Sequence, residues 1–209
     1  ETSADGVARV TESADWVVAN SQATARSFSK SGHAFVIPNT TDIDPDAIEL
    51  PAPGSGVVRI GLISSNIPKK GLQDFVEVAN LLASRSPNAR FVLVGPDNEH
   101  TAKLKRDQEE GAISPRLVFA GYRDSPAEAI REIDVLVNLS HFQESFGRTV
   151  LEAMVAGRPV VAYDWGALNE LVVDGVTGYM VPFRDIAAVA DAIELLCKDP
   201  ESITRMGAA

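Results

Sequence analysis

Among its 209 residues the chain has one cysteine, Cys197, which excludes an intramolecular disulfide and any Cys-rich metal site. A lone thiol suits a reducing compartment, so a cytoplasmic location is expected. The three histidines, His33, His100 and His141, lack metal-ligand spacing, and neither a metal nor another cofactor is expected. Cations are scarce: 19 Lys and Arg against 29 Asp and Glu leave a net charge of −10. Non-specific nucleic-acid binding is disfavoured and no nucleic-acid partner is expected, because such binding draws on clustered Lys and Arg. A small phosphate ligand held by a few local cations is not disfavoured. Apolar runs such as Phe91-Val92-Leu93-Val94 fall far short of the roughly 18–20 residues that span a bilayer, and no charged-then-apolar signal segment stands before them. Membrane contact, where there is any, is expected to be peripheral.

What is present suffices for a core: 45% of residues are apolar and 23% charged, an ordinary globular balance. The length fits one domain of about 150 residues with a surplus. Ala4, Val7, Val10 and Ala14 recur at helical intervals. Trp16–Ala19 reads as a strand, Asn20 or Ser21 as the cap of a helix to about Ser29, and Gly32 as its end before a strand at Phe35–Ile37. Pro51-Ala52-Pro53-Gly54-Ser55-Gly56 suits neither helix nor strand and marks a boundary.

Beyond Gly56, short buried strands alternate with amphipathic helices. The strands are expected at Val57–Ile63, Arg90–Val94, Leu117–Ala120, Val135–Asn138, Pro159–Ala162 and Tyr179–Val181. Leu72, Phe75, Val76, Ala79 and Leu82 make one helical face, and Val150, Leu151, Met154 and Val155 another. The pattern is that of an α/β fold with a doubly wound, Rossmann-like parallel sheet.

In such sheets ligands bind at the carboxyl ends of the strands. The first loop reads Ser64-Ser65-Asn66-Ile67-Pro68-Lys69-Lys70-Gly71. Two ammonium groups at a helix start run against the helix dipole and favour an anion beside them; Walker-loop spacing is absent. Taken alone, the loop reads equally as a solvated lysine pair after a turn. Gly95-Pro96-Asp97-Asn98 and Gly121-Tyr122-Arg123-Asp124 follow later strands, and either glycine admits a ligand near the backbone or simply turns the chain. Tyr122 and Arg123 are candidates to flank a flat base. The loop from Ser140 to Phe146 enters a helix near Gly147, where the N–H groups of Gly147, Arg148 and Thr149 are free to meet a phosphate. Glu144 stands just before this helix, and Glu152, four beyond Arg148, shares that residue's face but lies deeper. Two carboxylates flanking a phosphate site match the polarity of ribose, diphosphate and hexose in a nucleotide sugar. In an acidic chain such a pair also arises by chance. His141 reads as a polar loop residue, Trp165 as a pocket wall or a cover for the sheet end, and Cys197 as core.

The run Glu144-Ser145-Phe146-Gly147, with Glu152-Ala153-Met154, Gly157-Arg158-Pro159-Val160-Val161-Ala162, Gly166, Glu170, Gly175 and Thr177-Gly178, resembles the E-x7-E region of glycosyltransferase family 4. Asp15 to Ser21, and Ile37-Pro38-Asn39 with Asp42, are similar to the pattern that closes that family's N-terminal domain. The resemblance covers residues 10–209 and implies a retaining enzyme of the GT-B fold, whose two Rossmann-like domains face each other across a cleft. It implies that this chain supplies the C-terminal, donor-binding half. Glu144 is then expected on the donor sugar hydroxyls, Glu152 on the ribose, and the amides around Phe146, Gly147, Arg148 and Thr149 on the diphosphate, with Lys70 adding charge. The family's Gly-Arg pair five residues before this lysine is Ser64-Ser65 here. That removes a bidentate phosphate contact which lysine cannot copy, so either Lys69 or Arg148 compensates or the donor is held differently. Glu170 matches a family glutamate and reads equally as a carboxylate at a helix start.

The resemblance thus implies Glu144 and Lys70 as catalytic groups and Glu152, Phe146, Gly147, Arg148 and Thr149 as donor-binding residues; the reading of the loops adds Lys69, Ser65, Tyr122 and Arg123 as donor-binding candidates. It implies a nucleotide sugar such as a UDP-sugar or GDP-mannose, a glycan or lipid-linked acceptor met through an N-terminal domain, and a role in polysaccharide synthesis, with any membrane contact at the inner face. A non-catalytic nucleotide-sugar-binding module and another GT-B enzyme, such as a sugar-nucleotide epimerase, are the alternatives. Residues 1–50 then read as the closing piece of an N-terminal domain, 51–56 as linker and 57–209 as the donor-binding domain. The chain starts at Glu1 and stops inside a helical pattern; it is expected to be part of a larger enzyme, inactive by itself, and to self-associate through unpaired strand edges.

Overall fold

A computed structural model describes residues 4–28, 34–49 and 56–209. Each expected strand forms within one residue of its expected bounds. Helix α1 (Ala4–Ser13) leads into β1 (Val17–Ala19), α2 (Gln22–Ser27) and β2 (Ala34–Val36), and the two strands pair in parallel as a small separate sheet. Ser21 starts α2 by accepting from Thr24 N at 3.0 Å, the ordinary N-cap geometry. The expected positions Ser29 and Gly32, His33, and most of the expected linker lie outside the described residues.

Six further strands form one parallel sheet: β3 (Val58–Ile63), β4 (Ala89–Val94), β5 (Leu117–Gly121), β6 (Val135–Asn138), β7 (Val160–Tyr163) and β8 (Gly178–Val181), in the order β5-β4-β3-β6-β7-β8. Neighbouring positions along each strand serve opposite faces. Phe91 and Leu93, Val135 and Val137, and Val161 and Tyr163 enter one core with α3 (Leu72–Arg85) and α7 (Ile186–Lys198). Val92, Val94, Leu136, Val160 and Ala162 enter the other with α5 (Pro126–Arg131) and α6 (Arg148–Val155). Burial on both faces is why the strands read as continuous apolar runs rather than alternations. Each fully buried Phe or Leu contributes about 1.5–3 kcal/mol. Helices α4 (Glu99–Glu109) and α8 (Pro200–Gly207) complete the cover, and Cys197 is buried in the α3–α7 core as expected.

The N-terminal stretch is fastened to this layer structure. Ile48 is buried against Ile130 and Ala156, and the buried Arg158 donates to the carbonyls of Glu49, Ala156 and Ile133. Burial pulls the Arg158 pKa below its ordinary value. Arg131 adds a bond to Ala47 O at 2.9 Å. The outward residues of the small sheet, Trp16, Val18, Phe35 and Ile37, are exposed.

Candidate functional site

The chain winds outward in both directions from the β3–β6 pair, where Ile60 faces Val135 and Gly61 faces Leu136. This is the switch point at which open α/β sheets hold ligands. Two loops meet above it. Lys69 and Lys70 lie in a 3-10 turn, Pro68–Lys70, ahead of α3 rather than within it. Gly71 follows with φ +79°, and a Cβ there would fall 2.1 Å from the Leu139 carbonyl oxygen. Only glycine lets the backbones approach so closely. His141 N then donates to Lys69 O at 2.9 Å, joining the loops a second time.

This junction brings together the two groups expected to be catalytic. Lys70 Nζ lies 2.9 Å from Glu144 Oε1, which also accepts from Ser140 Oγ at 2.7 Å. The Phe142 ring sits beneath both lysines, its centroid 4.3 Å from Lys70 Nζ and 5.6 Å from Lys69 Nζ, within cation–π reach. The Glu144 backbone is pinned by a parallel bridge to Gly166 and by Ala167 N, 3.0 Å from Glu144 O. A cavity of about 290 Å³ opens here, lined by Ser64, Ser65, Lys70, Ser140, Glu144 and Thr149 among others. A second, of about 570 Å³, lies on the far side of Glu144, between His141–Ser145 with Trp165 and the α2 region from Ala23 to Ser27. Glu144 lines both.

Gly147 caps α6, and Phe146 beside it is buried. Glu152 is buried one turn in; burial raises its pKa, while Arg148, whose NH2 lies 3.4 Å from Glu152 Oε1, opposes the rise. Arg148 also lines a third cavity of about 730 Å³ with Val18–Asn20 and Ile37–Thr40, beside the N-terminal stretch, and is absent from the lining of the Lys70 cavity. Ser65 O accepts from Asn98 Nδ2 at 3.1 Å, tying the first loop to the second. Tyr122 is exposed, and Arg123 is taken up by Glu132, at 2.6 Å, and by Ala120 O; both stand above the edge strand β5, apart from the β3–β6 junction.

A cluster that sequence reading missed braces the site. Asp74 Oδ2 accepts from Tyr163 OH at 2.6 Å and lies 2.7 Å from His141 Nε2. Arg184 NH2 is 3.3 Å from His141 Nδ1. A guanidinium only donates, so Nδ1 accepts and Nε2 carries the proton given to Asp74. Burial, and next the bond to Asp74, push the Tyr163 phenol well above its ordinary pKa. Phe183 stacks on Trp165 at 4.6 Å, so Trp165 both walls a cavity and covers the sheet end. Asp74 gave no signal because an acid in the first turn of a helix already suits the dipole. Glu170 ends the short turn Leu168–Glu170 rather than starting a helix, and its carboxylate accepts from Gln22 N at 2.8 Å and Ala23 N at 2.7 Å. It caps α2 across the cleft, where Thr24 Oγ1 also donates to Ser145 O at 3.2 Å.

Residues 56–199 match the family model described as glycosyl transferases group 1. The chain belongs to this family. It is 30% identical over 168 residues to the poly(glycerol-phosphate) alpha-glucosyltransferase of Bacillus subtilis, a match covering 79% of this chain and 24% of that protein. The chain spans less than half the length of the curated family relatives it matches first. Among solved structures, the fold is shared with HepE of Anabaena, determined with UDP and glucose (TM-score 0.80, 24% identity, 99% of this chain and 61% of that one). It is shared also with the C-terminal domain of a group 1 glycosyl transferase from Francisella tularensis (TM-score 0.65, 24% identity, 79% of this chain and 92% of that one). The doubly wound parallel sheet thus matches GT-B glycosyltransferase structures. Among the described residues no helix is long and apolar enough to cross a membrane.

Proposed function

We propose that this chain is the C-terminal, nucleotide-sugar-binding half of a retaining family 4 glycosyltransferase. The observation that carries the reading is Glu144 standing between two cavities with Lys70 bound to it. The diphosphate lies on the Lys70 side and meets Lys70, Ser65, Thr149 and the amides at the start of α6. The hexose lies on the α2 side. Breaking the bond between anomeric carbon and diphosphate leaves negative charge on the phosphate and oxocarbenium character on the sugar. The fixed amides oppose the first charge without needing to reorganise, Lys70 and Lys69 add positive charge beside them, and no divalent metal is required. Glu144 orients the sugar and is not a nucleophile; retention follows from the leaving phosphate assisting the acceptor on the same face. Glu152 accepts from the ribose, although its burial disfavours the charged carboxylate. The acceptor meets the cleft through residues beyond this chain, in polysaccharide or glycoconjugate synthesis at the cytoplasmic side of a membrane. The exposed face of Trp16, Val18, Phe35 and Ile37 is the surface through which the chain self-associates when alone.

Calorimetry with UDP, GDP and ADP and with their sugars, with and without Mg²⁺, tests the reading. One nucleotide family is expected to bind independently of Mg²⁺, to lose affinity in Glu152→Ala, and to give no transfer from these 209 residues. Absence of binding by every nucleotide, with Glu152→Ala indistinguishable from the parent, refutes it. Tight binding without turnover in the longer protein would support the non-catalytic module that the Ser64-Ser65 replacement suggests.

A further inference from the structure

We infer that Glu144 makes the site discriminate between an intact nucleotide sugar and the nucleoside diphosphate left after transfer, by competing with the diphosphate for Lys70. The inference rests on the donor-site reading above and adds to it a consequence for product release.

Two side chains donate to one oxygen of the Glu144 carboxylate: Lys70 Nζ at 2.9 Å and Ser140 Oγ at 2.7 Å. The pair is partly withdrawn from water, with 27% of the Lys70 side chain and 15% of that of Glu144 exposed, so removing one partner leaves a poorly hydrated charge behind. A diphosphate in the smaller cavity draws on the same ammonium. If it arrives alone, it takes Lys70 from Glu144 and sets phosphate charge beside a carboxylate that has lost its counter-ion. If it carries a hexose, that hexose occupies the larger cavity on the other side of Glu144, and its hydroxyls donate to the carboxylate as Lys70 leaves. The exchange is satisfied only by the intact donor. After transfer the hydroxyls depart, Lys70 returns to Glu144, and the nucleoside diphosphate is held less tightly. Phe142 keeps the movement short, because its ring lies 4.3 Å from Nζ and gives the ammonium a second partner as it turns from the carboxylate to the phosphate.

The test uses this chain at one fixed ionic strength. Binding of UDP, GDP and ADP and of their glucose conjugates is measured by calorimetry to the parent, Glu144→Gln, Lys70→Ala and the double variant. For the nucleotide that binds, Glu144→Gln is expected to tighten the free diphosphate about tenfold, about 1.4 kcal/mol, and to leave its sugar conjugate no tighter or weaker. In the Lys70→Ala background the tightening is expected to vanish. Ser140→Ala keeps both charges and removes the other donor, so Glu144 relies more on Lys70 and the free diphosphate is expected to weaken, the opposite sign. Circular dichroism on each variant establishes that it is folded, and the Ser140→Ala arm stands even if Glu144→Gln is unstable. The inference is overturned if Glu144→Gln leaves the free diphosphate unchanged or weaker, if it shifts diphosphate and sugar conjugate by the same factor, or if the tightening persists without Lys70. Those outcomes leave the functional reading intact. No binding of any nucleotide to the parent overturns both.

Discussion

Replacing Gly71 with alanine separates two costs that a tight loop junction combines. Gly71 and Gly111 share a φ of +79°, but a Cβ at Gly71 would lie 2.1 Å from Leu139 O, whereas one at Gly111 would meet nothing within 4 Å. Both substitutions carry the left-handed backbone strain of about 1–2 kcal/mol, offset by about 0.4–1 kcal/mol from a less flexible unfolded chain. Only Gly71→Ala adds overpacking, about 1–3 kcal/mol, because the obstructing atom belongs to backbone and not to a side chain that can rotate. The expected difference between the variants is therefore that last amount. At about 2–4 °C per kcal/mol for a chain of this size, Gly71→Ala should melt about 2–12 °C below Gly111→Ala. Thermal unfolding followed by circular dichroism gives the two midpoints. Nucleotide affinity should fall in Gly71→Ala alone, because Leu139 leads directly into Ser140 and the Glu144 loop. Equal midpoints for the two variants would refute the close-approach argument, since strain alone would then account for both.

Three further outcomes are expected. Burial raises the Glu152 pKa above that of the unfolded chain, so the folded state binds its proton more tightly; that stabilisation is complete below the unfolded pKa and is lost as pH rises through the folded one. Glu152→Gln should thus stabilise the chain at neutral pH but not in acid, shown by urea midpoints at both, while weakening nucleotide binding. Arg158→Ala leaves the carbonyls of Glu49, Ala156 and Ile133 without this donor, and at about 1–3 kcal/mol per unsatisfied group the urea midpoint should fall markedly, with Ile48 becoming exposed to proteolysis. Glu170→Ala removes the acceptor of Gln22 N and Ala23 N. Hydrogen exchange at those two amides should accelerate at least tenfold, while amides of β3 and β6 keep their protection.

The strands were legible because two-sided burial forces apolar runs; the two glutamates, whose spacing means little by itself in an acidic chain, stood out only through the glycines and the apolar strand around them. The bond between Lys70 and Glu144, 74 residues apart, was not expected from the sequence; strand ends converging at the switch point bring the two loops together. The bracing cluster was not legible: Asp74, His141, Tyr163 and Arg184 come from separate elements, and their bonds depend on where side chains turn after the backbones are placed. Arg123 illustrates the same limit. Its loop suggested a ligand contact, but Glu132, nine residues on, lies on the neighbouring helical segment and takes the guanidinium. Glu170 looked like a helix-start carboxylate and is one, for a helix 148 residues earlier.

The β3–β6 pair has a kinetic consequence. Arg59 beside Asp134 spans 75 residues of chain, and all six strands run parallel, so none of them can form by local hairpin closure. Loop-closure entropy must be met before the central contact rewards it, which places this topology among the slower folders. The Lys70–Glu144 junction of the proposed site joins the loops that leave these two strands. Nucleotide binding should therefore return in the slowest refolding phase, after much of the helical signal, and the site reports completion of the fold.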